Sequence, residues 1–274
     1  MAQQKVVFGV PDEWRMFHER HPEWQEALSR LKRALEYVFI REVPVDQQGR
    51  HVVFALGRLA VEDFTEILLL CGNGYGIGGL KILRGMYERI VTALYLASHS
   101  EQVDDFLDYY YVHQQKLLVH AKDADINLGK HQKEIDEVKA EYQRVKSRYE
   151  ETVCRECGTT RLQGSWTKRD LKTMAEEVGL RHGYGLMYFW PTLMHHTTFA
   201  GMNVRYEPSG ADILTFQDAS QREDADQALG SAHALLLILL KKFDHIFKLG
   251  LPNIDELYQD FARCWKVEMG EAGS

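Results

Sequence analysis

Cysteine is scarce in this chain: four residues in 274, two of them close together in Cys154-x-x-Cys157. That number excludes a disulfide framework and makes a reducing setting the default. Long apolar runs are also missing. The longest, Ala234 to Leu240, is followed at once by Lys241 and Lys242 and is far too short to cross a bilayer. The first residues, MAQQKVVFGVPDEW, contain no apolar stretch of the signal-peptide kind. An intracellular, cytoplasmic protein without a membrane partner is therefore expected. Basic excess is absent too: the formal net charge is −7, which advertises no broad nucleic-acid face but leaves local basic patches open. Strict apolar–polar alternation is almost missing, so sheet-rich folds are disfavoured.

What is present is helical spacing. Pro22-Glu-Trp opens a stripe through Ala27, Leu31, Leu35 and Val38 that Pro44 closes. Val53, Leu56, Ala60, Phe64 and Ile67 make a second, and Ile82, Met86, Ile90 and Leu94 a third with hardly a polar side. A further helix from Ser100 carries the apolar stripe Phe106, Tyr110, Leu117 and Leu118, and others are expected from Thr167 to Val178, from Asp224 to Leu249 and from Asn253 to Lys266. Asn203 to Asp218 reads as a loop or small hairpin. With 45% hydrophobic residues to fill a core, the expectation is an all-α, single-domain bundle of about eight helices spanning 1–274. Residues 1–45 form an N-terminal helical extension in this reading. Residues 129–160 form a protruding charged arm, because Ile135, Val138, Tyr142, Val145 and Tyr149 leave only a narrow 3-4-3-4 seam.

Gly74-Tyr-Gly76-Ile-Gly-Gly79 spells the dinucleotide fingerprint. That fingerprint requires a preceding strand and a following βαβ unit, whereas both flanks here have helical period. The glycines are therefore expected to form a turn between two buried helices, and no dinucleotide is expected.

Three groups of polar residues carry the functional expectation. Arg84 and Glu88 lie one turn apart on the most apolar helix, either as a structural ion pair or as an anion clamp beside a base or ligand. Asp105, Tyr109 and His113 share a face of the next helix. Tyr188, Thr192 and His196 fall at i, i+4 and i+8, which favours His196 over His195 as the residue facing a site.

The residues Leu83-Arg84-Gly85-Met86-Tyr87-Glu88, Trp166, Met174 to Leu180, Tyr184, Tyr188, Thr192 and His196-Thr197-Thr198 resemble the DUF5677 family. Its pattern is an R-x3-E helix, a tryptophan, an "ma-e-gl" segment and Y-x3-S-x3-H-x-S. The resemblance covers about Leu56 to Leu249, with Thr192 standing where the family usually has serine. It implies an all-α fold and a shared polar site, and supplies no reaction.

Cys154-x-x-Cys157 is half of a zinc ribbon, two ligands short of a structural site. One divalent metal held by Glu88, His113 and His196 is a candidate cofactor. The expectation that follows is a hydrolase or nuclease-like enzyme acting on a small-molecule or phosphate-containing substrate. Glu88, His196, His113 and Arg84 would be catalytic, and Tyr109, Trp166, Tyr188 and Thr192 would bind substrate. The competing expectation is a non-catalytic module that binds a partner through residues 129–153; a homodimer is a separate candidate partner state, and nucleic acid is left open.

Overall fold

In the computed structural model the protein is described over residues 9–42, 49–154, 156–210, 213–216 and 219–267. The fold is mostly helical. Among the described residues there are eleven α-helices and two two-stranded hairpins. They divide into two units, Met1–Ser98 with Leu171–Ser274, and His99–Asp170.

The larger unit is organised on three long helices, α3 (Arg50–Gly72), α4 (Gly76–Ser98) and α10 (Arg222–Phe247), which make its most extensive mutual contacts. Every residue from Ile90 to Leu96 is buried, as the lack of a polar side on α4 requires. The glycine cluster is the turn between α3 and α4. Gly74 takes φ +86°, a left-handed conformation that glycine adopts without steric cost. Gly76 lets α10 approach, since a Cβ there would lie 2.4 Å from Ala225 N, and Gly79 makes room for both α3 and α10, since a Cβ there would lie 2.6 Å from Cys71 Sγ and 3.2 Å from Ala228 Cβ. Gln221 closes the junction by accepting from the Ile77 N–H through its side-chain oxygen at 2.9 Å, which satisfies an otherwise open donor of the first turn.

Helices α1 (Glu13–Arg20) and α2 (Trp24–Phe39) belong to this unit, so the expected N-terminal extension is part of its core. Trp24 is 1% exposed and meets Trp265 of α11 (Ile254–Trp265) and His233 of α10, with ring centroids 5.5 and 5.6 Å apart. The buried Asp260 is gripped by Arg30 and Arg263, which ties α2 to α11. Pro44, expected to close α2, lies outside the described residues; α2 itself ends at Phe39. The chain from Leu171 adds α7 (Leu171–Glu177), a π-helical turn (Gly185–Phe189), α8 (Trp190–His195) and α9 (Phe199–Asn203). The expected hairpin within 203–218 is present as β3 (Tyr206–Gly210) and β4 (Ile213–Phe216), paired antiparallel.

The smaller unit pairs α5 (Val103–Asp123) with α6 (Gln132–Val145) and adds a hairpin of β1 (Glu150–Thr152) and β2 (Thr160–Leu162). The seam expected to project as an arm is instead covered by α5. Val145 and Tyr149 are buried against Tyr109 and Val112, with Tyr142 and Trp166 packed around them. Charge holds the pair in register: Arg144 binds Asp108 at 2.9 Å and Arg148 binds Asp105 at 2.9 Å, which sets the two helices antiparallel. A narrow stripe needs only one neighbour, and the aromatic face of α5 supplies it.

Candidate functional site

In the larger unit, α4 and the segment ending in α8 form a polar and aromatic seam. Arg84 Nε donates to Thr192 Oγ1 at 3.0 Å and Nη2 to the Tyr188 hydroxyl at 3.3 Å, with the guanidinium 5.0 Å from the Tyr188 ring centre. Thr192 in turn donates to the Tyr188 carbonyl at 2.7 Å. That bond uses a carbonyl within the π-helical turn, where the regular ladder is interrupted; such turns recur at functional sites. Tyr87, fully buried, donates to the Leu180 carbonyl at 2.8 Å, and burial pushes its phenol up to about 12, so it remains a neutral donor. The Tyr184 and Tyr188 rings lie 5.2 Å apart beside it. Arg84, Tyr188 and Thr192, expected from the sequence to share a site, thus touch one another. Tyr87 and Tyr184 complete the cluster; both were visible in the motif but carried no assigned role.

Glu88 and His196 stand apart from it. The Glu88 carboxylate is 51% exposed and 4.0 Å from Arg84 Nη1, too long for a hydrogen bond. His196 is exposed, and the helical line drawn through Tyr188 and Thr192 stops before it: α8 ends at His195, and His196 has ψ 160°. The chain turns there because Thr198 caps α9, accepting from Gly201 N at 3.1 Å. Along α4, Arg84 meets Thr192 and Tyr188 whereas Tyr87 meets Tyr188 and Tyr184, so the two segments run antiparallel. Glu88 and His196 are both exposed, so neither side chain lies in the interior. An interior hollow shared by this carboxylate and this imidazole is not formed. Among the described residues no three His, Cys, Asp or Glu side chains are grouped to hold a metal ion.

His113, Tyr109 and Trp166 belong to the smaller unit, where all three border one half-open hollow of about 560 Å³. Apart from Trp166 its lining comes from α5, Phe106 to Tyr111 and His113, among which Phe106, Tyr109, Tyr110 and His113 fall at i, i+3, i+4 and i+7. Trp166 stands edge-on to Phe106 at 5.5 Å, and Tyr109 edge-on to His113 at 4.7 Å. Tyr109 is fixed by donating to the Gln163 carbonyl at 2.7 Å, and Lys116 Nζ sits 5.7 Å from its ring centre. Partial burial, with the nearby Lys116 charge, lowers the His113 pKa and favours the neutral imidazole. Asp108 is on the rim. Burial works against its charge, but hydrogen bonds from Arg144 and Arg148 hold it below the usual carboxylate range, and its charge is already spent on them. Phe106 and Tyr110 were legible only as an apolar stripe, although their spacing from His113 carried the signal.

The comparisons join the two sets of residues in one sequence. The profile of DUF5677, a family of unknown function, matches residues 50–211. The chain is a member of the DUF5677 family. The matched region contains Arg84, Tyr188 and Thr192 of the larger unit as well as Tyr109, His113 and Trp166 of the smaller one, so family membership spans both. No curated protein and no solved structure matches the chain. No helix among the described residues is long and apolar enough to cross a membrane.

Proposed function

We propose that this protein is a helical binding module whose smaller unit takes up a planar aromatic guest carrying a negative charge. The observation that carries this reading is the aromatic hollow on α5. Two of its rings, Tyr110 and the partly buried Trp166, are open to a flat guest, Tyr109 stands buried beside them, and its walls are mostly apolar. Lys116, next to the hollow's lining residue Tyr109, supplies a cationic group, and a neutral His113 can accept or donate without opposing an anion. Tyr110 is 55% exposed, so removing its ring leaves the fold intact while stripping one wall. The test is a thermal-shift and affinity comparison with nucleoside monophosphates and aromatic carboxylates as probes. Tyr110→Ala should weaken a bound probe by about 1–3 kcal/mol, roughly 5- to 150-fold, the range measured for ring–base stacking. No probe binding, or equal affinity in the variant, would defeat the proposal.

A second reading, a hydrolase or nuclease-like enzyme for a phosphate-containing substrate, is favoured by Arg84. Two hydroxyls fix its guanidinium, and its remaining edge faces the exposed Glu88. A clamped arginine of this kind suits phosphate. Phosphodiester cleavage that is lost in Glu88→Ala and Arg84→Ala, with unchanged melting, would establish this reading. Equal cleavage in Glu88→Ala would remove it.

A further inference from the structure

The loop of the β1–β2 hairpin holds the two exposed-side cysteines in an arrangement that neither reading uses. Thr152 pairs with Thr160, and beyond that pair the Val153 and Cys154 N–H groups both donate to the Thr159 carbonyl, at 2.8 and 3.3 Å. Gly158 turns the chain with φ +67°. Cys154 and Cys157 stand three residues apart in this turn, and Cys157 Sγ lies 2.9 Å from Thr159 Oγ1. Cys154 is half-buried and Cys157 exposed. Two thiols therefore share one surface turn, Cys157 exposed and Cys154 partly covered. Zinc would need four ligands, and no third His, Cys, Asp or Glu joins them among the described residues.

We infer that Cys157 and Cys154 form a dithiol site that exchanges with small disulfides, Cys157 attacking and Cys154 resolving. The Cys157 thiolate attacks one sulfur of a low-molecular-weight disulfide RSSR, forming a Cys157–S–S–R bond and releasing RS⁻. The Cys154 thiol then loses its proton to solvent and attacks Cys157 Sγ, forming the Cys154–Cys157 bond and releasing the second RS⁻. The protein dithiol is oxidised by two electrons, and RSSR is reduced to two thiols once both thiolates take up protons. Hydrogen bonding from Thr159, then from Cys154, lowers the Cys157 thiol to about 7, so a large fraction is thiolate at neutral pH. Cys71 and Cys264 are buried, and burial pushes them up to about 12 and about 11, so they compete poorly.

The test treats the reduced full chain with oxidised glutathione and follows the products by peptide mapping and intact mass. Wild type should lose two hydrogens and yield one linked peptide pair, Cys154 to Cys157. Cys154→Ser should stop at a glutathione adduct on Cys157. Cys157→Ser should react at Cys154 about tenfold more slowly or worse, as expected when thiolate fraction drives the attack. Equal rates in the two variants would overturn the assignment, as would the absence of any Cys154–Cys157 link. Freshly isolated protein carrying zinc that either variant loses would overturn it as well, in favour of a metal shared between copies. Circular dichroism of each variant keeps a folding defect distinguishable.

Discussion

Replacing Gly76 by alanine would place a methyl carbon 2.4 Å from Ala225 N and from Gln221 O. Both neighbours are backbone, so no side chain can rotate out of the way. The first turn of α10 has to move, and with it the Gln221 contact that caps α4. Forced overpacking of this kind costs about 1–3 kcal/mol. Gly78, two residues on in the same helix, provides the control. Its nearest neighbours are Leu70 methyl carbons at 3.5 and 3.6 Å, ordinary contact distances. Alanine there should gain about 0.5–1 kcal/mol through its higher helix propensity. The pair is therefore predicted to move in opposite directions, separated by roughly 1.5–4 kcal/mol. Denaturant titration followed by far-ultraviolet circular dichroism reads this as a lower midpoint for Gly76→Ala and an unchanged or higher one for Gly78→Ala. Equal destabilisation of both, or tolerance at Gly76, would refute the account of the glycine cluster as a close-approach turn.

Other consequences concern polar groups. Thr192→Val keeps the volume but leaves Arg84 Nε without its partner, and should lower stability by about 1 kcal/mol; a thermal melt unchanged by this variant would contradict the cross-link. His233 is 1% exposed and accepts from Trp265 Nε1 at 3.1 Å, and burial pushes its pKa down to about 4 from 6.5. The unfolded chain thus binds a proton that the folded chain refuses. Stability from this group is complete above about 6.5 and is lost as pH falls toward about 4, by up to roughly 3 kcal/mol. His233→Asn should flatten that part of the pH–stability curve, and an unaltered curve would assign the acid sensitivity elsewhere. Asp260→Asn removes the charge that both Arg30 and Arg263 grip and should loosen α11 from α2, measured as faster amide exchange in α11.

The helices were legible wherever one face had a long apolar stripe. The runs through Phe64, Ile90 and Leu236 had to be buried somewhere, and α3, α4 and α10 bury them against each other. The glycine turn was legible because a dinucleotide turn requires strands that the flanking spacing did not offer. Periodicity does not say which stripe meets which. The seam of α6 therefore looked unpartnered, although Tyr109 and Val112 on α5 were its complement. The strands β1 and β2 have three residues each, too few to show alternation. The line through Tyr188 and Thr192 was sound, but its extension to His196 assumed a helix that Thr198 ends by starting another. The hollow was half legible. Tyr109, His113 and Trp166 were singled out for their chemistry, but Phe106 and Tyr110 passed for core because aromatic residues at helical spacing usually are.

The most direct test is to follow the five tryptophan indole N–H signals by NMR while an aromatic, anionic probe such as a nucleoside monophosphate is added. Trp166→Phe assigns one signal. The account predicts that the Trp166 signal shifts saturably while those of Trp14, Trp24, Trp190 and Trp265 stay in place. A static Trp166 signal, or shifts confined to the other four, would contradict it.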